Sequence, residues 1–241
     1  MNALSKAANR SIGQAMHNYQ MLADNDRVLI AVSGGIDSLV LTWILNHWQH
    51  KAPIGYKILA VYIDNGFDIS TGDKVAAQLQ NIGVPYLIEK TDFWHRAAAA
   101  EGGKSICYHC ARLRRNRLFA IAEEQGFNKI GFGHHQDDIL ETFFINLLYA
   151  GNISTMVPKQ KLFKGRIHII RPMAYLEKKN IIEIAAAASI MPVKNPCPQD
   201  ESSKRQEARR VVALLSSLDP KVKANIFAGL SNIRQDYLLE R

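Results

Sequence analysis

Apolar positions along the chain switch between two rhythms. In residues 11–22, Ile12, Ala15, Met16, Tyr19 and Leu22 recur at helical spacing, which predicts an amphipathic helix packed on the domain. Residues 27–32 (RVLIAV) then run apolar and β-branched without alternation, as in a strand covered on both faces of a parallel sheet. A glycine turn and a helix beginning Leu39-Val40-Leu41 follow, and the pattern repeats. Strands are predicted at 57–63, 84–88 and 129–132, and helices at 72–82, 111–124 and 139–149. Strand alternating with helix at this spacing predicts a doubly wound α/β fold with a mainly parallel sheet and a ligand site at the carboxyl ends of the strands. After Gly151 the pattern loosens. One more strand is expected at 166–170 and a helix at 178–189, followed by a proline-punctuated loop at 192–199 (PVKNPCPQ). Helical stretches at 202–215 and 221–239 close the chain. No repeat or low-complexity linker marks a second folding unit, so residues 1–241 are expected to form one domain with C-terminal helices from about 200 on.

Composition narrows the function. With 241 residues, 47% hydrophobic and 22% charged, the chain is long enough for a full core and has no apolar run of the ~18 residues a membrane span needs. The first residues lack an apolar signal stretch, which places the protein in the cytoplasm as an expectation. A formal charge of +8 favours polyanionic partners such as nucleic acid.

Directly after the first predicted strand, residues 33–38 read SGGIDS. A strand, a glycine turn and a helix start form the setting in which backbone N–H groups and a helix N-terminus hold phosphate. Gly34 and Gly35 permit close backbone approach, Ser33 and Ser38 supply hydroxyls, and Asp37 caps the helix or holds magnesium. A second string, residues 133–142 (GHHQDDILET), follows a later strand and falls on the same sheet edge. Asp137 and Asp138 open a helix there, with Glu141 one turn on, an arrangement suited to magnesium or to plain capping. His134 and His135 have no companion at ligand spacing, so packing or substrate positioning is their expected role.

Cys107 and Cys110 stand in a Cys-x-x-Cys pair, and Cys197 is the only other cysteine. Four-ligand structural zinc wants one more ligand than these three, whereas three thiolates suit an iron–sulfur cluster with one open iron. Arg112, Arg114, Arg115 and Arg117 follow at once, with Arg114 one helical turn past Cys110. They are placed to lower thiolate pKa or to meet a nucleic-acid phosphate, or to form a solvated basic face.

The first string resembles the SGG-x-DS signature of the PP-loop ATP pyrophosphatases, which cleave ATP between its α and β phosphates and adenylate a substrate. SGGIDS, CYHCARLRR, GHHQDDILETFFINLLYAG, IIRPMAY and NPC together are similar, in order and spacing, to the tRNA 2-thiocytidine synthetases within that superfamily. The resemblance implies ATP, Mg2+ and a [4Fe-4S] cluster on Cys107, Cys110 and Cys197. It implies cofactor binding by Ser33, Gly34, Gly35, Asp37, Ser38 and Gly133, and catalytic roles for Asp37, Asp137, Asp138 and Arg114. The implied reaction replaces the C2 oxygen of an anticodon-loop cytidine by sulfur. Its implied partners are tRNA and a sulfur donor, either sulfide or a cysteine desulfurase, with no membrane, and a homodimer is compatible with it. Two departures stand out. Ile36 occupies a position where that family commonly carries lysine, so a phosphate contact is either lost or supplied by a Lys or Arg of another segment. The family's further cysteine shortly after the third is also missing. The competing readings are a uridine thiolase, a lysidine-type ligase, and a non-catalytic iron–sulfur protein that binds RNA.

Overall fold

The computed structural model describes residues 3–100, 105–194, 197, 203–219 and 221–239. Its elements begin with α1 (Lys6–Asn18), β1 (Arg27–Val32), α2 (Ile36–Gln49), β2 (Lys57–Asp64), α3 (Ile69–Ile82) and β3 (Tyr86–Lys90). They continue with α4 (Phe93–Ala98), α5 (Ile106–Glu124), β4 (Lys129–Gly131), α6 (Gln136–Ala150), β5 (Lys159–Leu162) and β6 (Ile167–Ile170). The last helices are α7 (Lys178–Ala187), α8 (Ser203–Leu218) and α9 (Val222–Gly229). None of the described helices is long and apolar enough to cross a membrane.

Contacts divide the chain into two compact units, residues 1–135 with 158–200, and residues 136–157 with 201–241. The first unit holds a six-stranded sheet of order β3-β2-β1-β4-β6-β5, parallel except for β5 against β6. Alternation along β1 sends Val28, Ile30 and Val32 to one face, with Leu39, Ile44 and Leu45 of α2 and Ile12 of α1. Leu29 faces the other way, with Leu118 and Ile121 of α5. Helices therefore cover both faces, as the uninterrupted apolar strands require. Successive strands run outward from β1 through β2 to β3, and the chain then returns to place β4 on the opposite side of β1. Strand order reverses between β1 and β4, and a ligand crevice opens at such a switch point beyond the carboxyl ends of the strands.

Boundaries shift where caps were unread. The first helix starts at Lys6 rather than 11, because Ser5 Oγ accepts the Ala8 N–H at 3.1 Å. It ends at Asn18, before Gln20 turns to φ +46. Ser105 caps α5 by accepting from Tyr108 N, which starts that helix at Ile106 rather than 111 and carries Cys107 and Cys110 into its first turns. The short helix α4 and the antiparallel edge strand β5 were unforeseen. Much of the 192–199 loop lies outside the described residues.

The second unit pairs α6 with α8, where Arg209 Nε donates to Glu141 Oε1 at 2.7 Å and Tyr149 Oη to Glu207. The long helix expected over 221–239 is instead the short α9, which ends at Gly229 and leads into a looser tail.

Candidate active site

The turn from β1 into α2 is built by its own serines. Ser38 Oγ accepts from Ser33 N at 3.1 Å and donates to Gly35 O at 2.9 Å, while Ser33 Oγ accepts from Gly35 N at 3.3 Å. Gly34 takes φ +82, and its carbonyl accepts from Val193 N at 2.9 Å, which ties the segment after α7 to the loop. No side chain caps α2, whose N-cap is Gly35, so its first-turn N–H groups face outward in the manner of an anion site.

The loop after β4 meets this turn. A Cβ on Gly133 would stand 2.8 Å from the Asp37 carbonyl and 2.9 Å from Ser38 N, so only glycine lets the two backbones touch. Buried His135 brings Nε2 to 3.7 Å from Asp37 Oδ1, and Lys178, the first residue of α7, is ion-paired with that same oxygen. His134 accepts from Arg171 Nε at 3.1 Å and stacks on Phe132. Both histidines thus make packing contacts within the chain.

Beside the loop lies a cavity of about 350 Å3 lined by Ser33, Gly35, Tyr62, Asp64, Asn65, Asp68 and Arg114, among others. Asp64 ends β2 nearly buried and accepts from Gly66 N at 2.9 Å. Asn65 Oδ1 is buried without a hydrogen-bond partner among the described residues, an acceptor left for a ligand. Asp68 caps α3 and is held below the usual carboxylate range by the Ser70 N–H and hydroxyl. Burial, with Asp64 nearby, pushes Tyr62 up to about 12, so its hydroxyl stays protonated as a donor. Sequence reasoning named Arg114 but missed Asp64, Asn65 and Lys178. Position at the carboxyl end of β2 was the available signal for the first two.

Arg114 also acts on Cys110. Cys107 is exposed, Cys110 buried and Cys197 half-buried. Burial pushes the Cys110 thiol up, Arg114 opposes that, and the charges of Cys197 and Cys107 both act on it. Cys197, although distant in sequence, is thus close enough for its charge to act on Cys110. Among the described residues no three His, Cys, Asp or Glu side chains gather tightly enough for a single metal ion. A cubane cluster asks for something looser, because each thiolate binds a different iron. A donor set of three thiols, with Arg114 acting on the buried one, fits that group.

Asp137 and Asp138 open α6 in the second unit. There Lys223 Nζ lies 2.6 Å from Asp137, and Arg205 lies 3.8 Å from Asp138 and 3.2 Å from Glu141.

Residues 4–215 match the family profile described as the PP-loop domain. A tRNA-cytidine(32) 2-sulfurtransferase from Bordetella avium is 37% identical over all of this chain and 77% of its own length. One from Geobacter sulfurreducens is 34% identical over 99% of this chain and 94% of its own. Among solved structures, the U34-tRNA thiolase NcsA from Methanococcus maripaludis, determined with its [4Fe-4S] cluster, superposes with TM-score 0.76 at 20% identity. That superposition covers 96% of this chain and 79% of the thiolase. The NH3-dependent NAD synthetase of Campylobacter jejuni follows at TM-score 0.53 and 16% identity, over 100% of this chain and 99% of its own. These two superpositions establish the shared fold.

Proposed function

The chain belongs to the PP-loop family and, within it, to the tRNA-cytidine(32) 2-sulfurtransferases, and from that membership we propose that it replaces the C2 oxygen of cytidine 32 in tRNA by sulfur at the expense of ATP. The observation that carries the reading is the junction of the 33–38 loop with Gly133 at the sheet's switch point, beside a cavity lined by Arg114, which stands one helical turn past Cys110 on α5.

A pyrimidine C2 oxygen is a poor leaving group. Its attack on the α-phosphorus of ATP expels pyrophosphate and leaves C2 bearing an O-linked adenylate. Sulfur then adds at C2, and AMP departs with the original oxygen. In this reading the N–H groups opening α2, with Ser33 and Ser38, hold the pyrophosphate charge as it develops. Asp37 orients magnesium and ATP, and His135 keeps its carboxylate in place. Asp137 and Asp138 carry the same assignment from sequence. Arg114 stabilises charge on the departing adenylate. Cys107, Cys110 and Cys197 would hold the [4Fe-4S] cluster, which supplies an open iron for binding sulfide. The same proposal includes a cytoplasmic, homodimeric enzyme fed by sulfide or by a cysteine desulfurase.

The test is tRNA-dependent conversion of ATP to AMP and pyrophosphate by anaerobically prepared protein, with iron and sulfide analysed beside it. The reading expects about four irons and four sulfides per chain and AMP formation that needs tRNA. Iron-free, fully active protein would return it to a lysidine-type ligase, and absence of turnover to an RNA-binding protein.

A further inference from the structure

Within the 33–38 loop the only charged side chain is Asp37, and the position before it is the apolar Ile36. A pyrophosphate seated on the α2 N-terminus would meet a carboxylate and no cation from the loop itself. A cation that reaches Asp37 comes from α7. Its N-cap Glu177 and Asn180 form a reciprocal capping box that fixes the backbone on both sides of Lys178. The helix is anchored by Ile181, Ile184 and Ala185, buried in the same cluster as Leu39 and Val40 of α2. The chain beyond it is tied back to the loop through Val193 N and Gly34 O.

Two lysines open α7, and they behave differently. Lys179 pairs with the helix's own cap, Glu177, at 3.3 Å, and its side chain is 67% exposed. Lys178 reaches across to Asp37 and is 41% exposed. A cation in the first turn of a helix works against the macrodipole, so Lys178 holds its place through a partner outside α7. That partner is the second residue of α2, and an ammonium on its carboxylate stands beside the N–H groups of the same turn.

We propose that Lys178 is the phosphate cation of this loop, contributed by α7 in place of a lysine at position 36. Without nucleotide it neutralises Asp37. When ATP and magnesium arrive, the metal takes over Asp37 and the ammonium turns to the pyrophosphate moiety. This inference rests on the reading of the 33–38 loop as an ATP site.

Equilibrium binding of MgATP, inorganic pyrophosphate and adenosine separates the two. Lys178→Ala is expected to weaken pyrophosphate and MgATP about tenfold or more, the scale of one charge-assisted contact, and to leave adenosine unchanged. Lys178→Arg should keep most of the affinity. Adding Ile36→Lys to Lys178→Ala should restore pyrophosphate binding, because the loop then supplies its own cation. A purely structural ion pair to Asp37 would give no such rescue. Pyrophosphate affinity within twofold of the parent in Lys178→Ala, or failure of Ile36→Lys to restore it in a folded double variant, overturns the inference and leaves the ATP site standing. A parent protein that binds neither MgATP nor pyrophosphate overturns both.

Discussion

Gly133 shows how narrowly a single residue sets this site. Its missing side chain lets the loop after β4 lie on the backbone of Asp37 and Ser38, and a methyl group there would press on main chain rather than on a yielding side-chain tip. Gly133→Ala is therefore expected to cost about 1–3 kcal/mol and to weaken MgATP binding in the protein that still folds, as a thermal melt and an ATP titration would record. Asp37 gives the opposite kind of prediction. Asp37→Asn keeps the shape of the loop but removes the charge that pairs with Lys178, so AMP formation should fall at least tenfold while the melting temperature changes little. At this scale much was legible. The SGGIDS string, Gly133 and Arg114 sit where their order along strands and helices places them, since short motifs carry their own backbone geometry. Lys178 was not legible, because its role comes from a contact 141 positions away in sequence.

At the scale of elements, caps decide what a helix can present. Ser105 starts α5 two residues before Cys107, so Cys107 and Cys110 rise from ordered backbone rather than from a loop. Ser105→Ala should lower stability by about 1 kcal/mol and reduce iron retention, as measured by chemical denaturation and iron analysis. The sequence reading began α5 at Ala111 because residues 106–110 (ICYHC) are too short to show a helical apolar rhythm, and a lone serine is an easily missed start signal. Strands fared better, because β1, β2 and β4 have largely apolar, mostly buried interiors behind a charged first residue. The edge strand β5, reading KQKL, carries none of that signal. In the other unit, nearly buried Glu141 receives Arg209 from α8, with Arg205 close by. Both arginines are well exposed, so Glu141→Gln should cost only about 1–2 kcal/mol, read as an earlier melt of the α6–α8 pair.

For the whole molecule, stability and chemistry answer to different groups. Tyr62 is nearly buried at the end of the sheet, with its hydroxyl raised from 10 to about 12 by burial and by the Asp64 charge. Its folded pKa exceeds its unfolded one, so its contribution to stability is complete below pH 10 and is lost as pH rises towards 12. Tyr62→Phe should flatten the decline of melting temperature across that window. The doubly wound architecture was readable from alternating strands and helices, and with it the crevice at the switch point. A cluster on Cys107, Cys110 and Cys197 was expected from a family resemblance and from a count of thiols, since no local pattern joins residues so far apart.

The most direct test of the central claim is mass spectrometry of nucleosides from tRNA incubated anaerobically with ATP, magnesium, sulfide and cluster-loaded protein, comparing the parent with Cys197→Ala. The account predicts 2-thiocytidine at position 32 with the parent, and none with the variant, which should still bind ATP. Equal 2-thiocytidine from both proteins would contradict a three-cysteine cluster as the sulfur-delivering group.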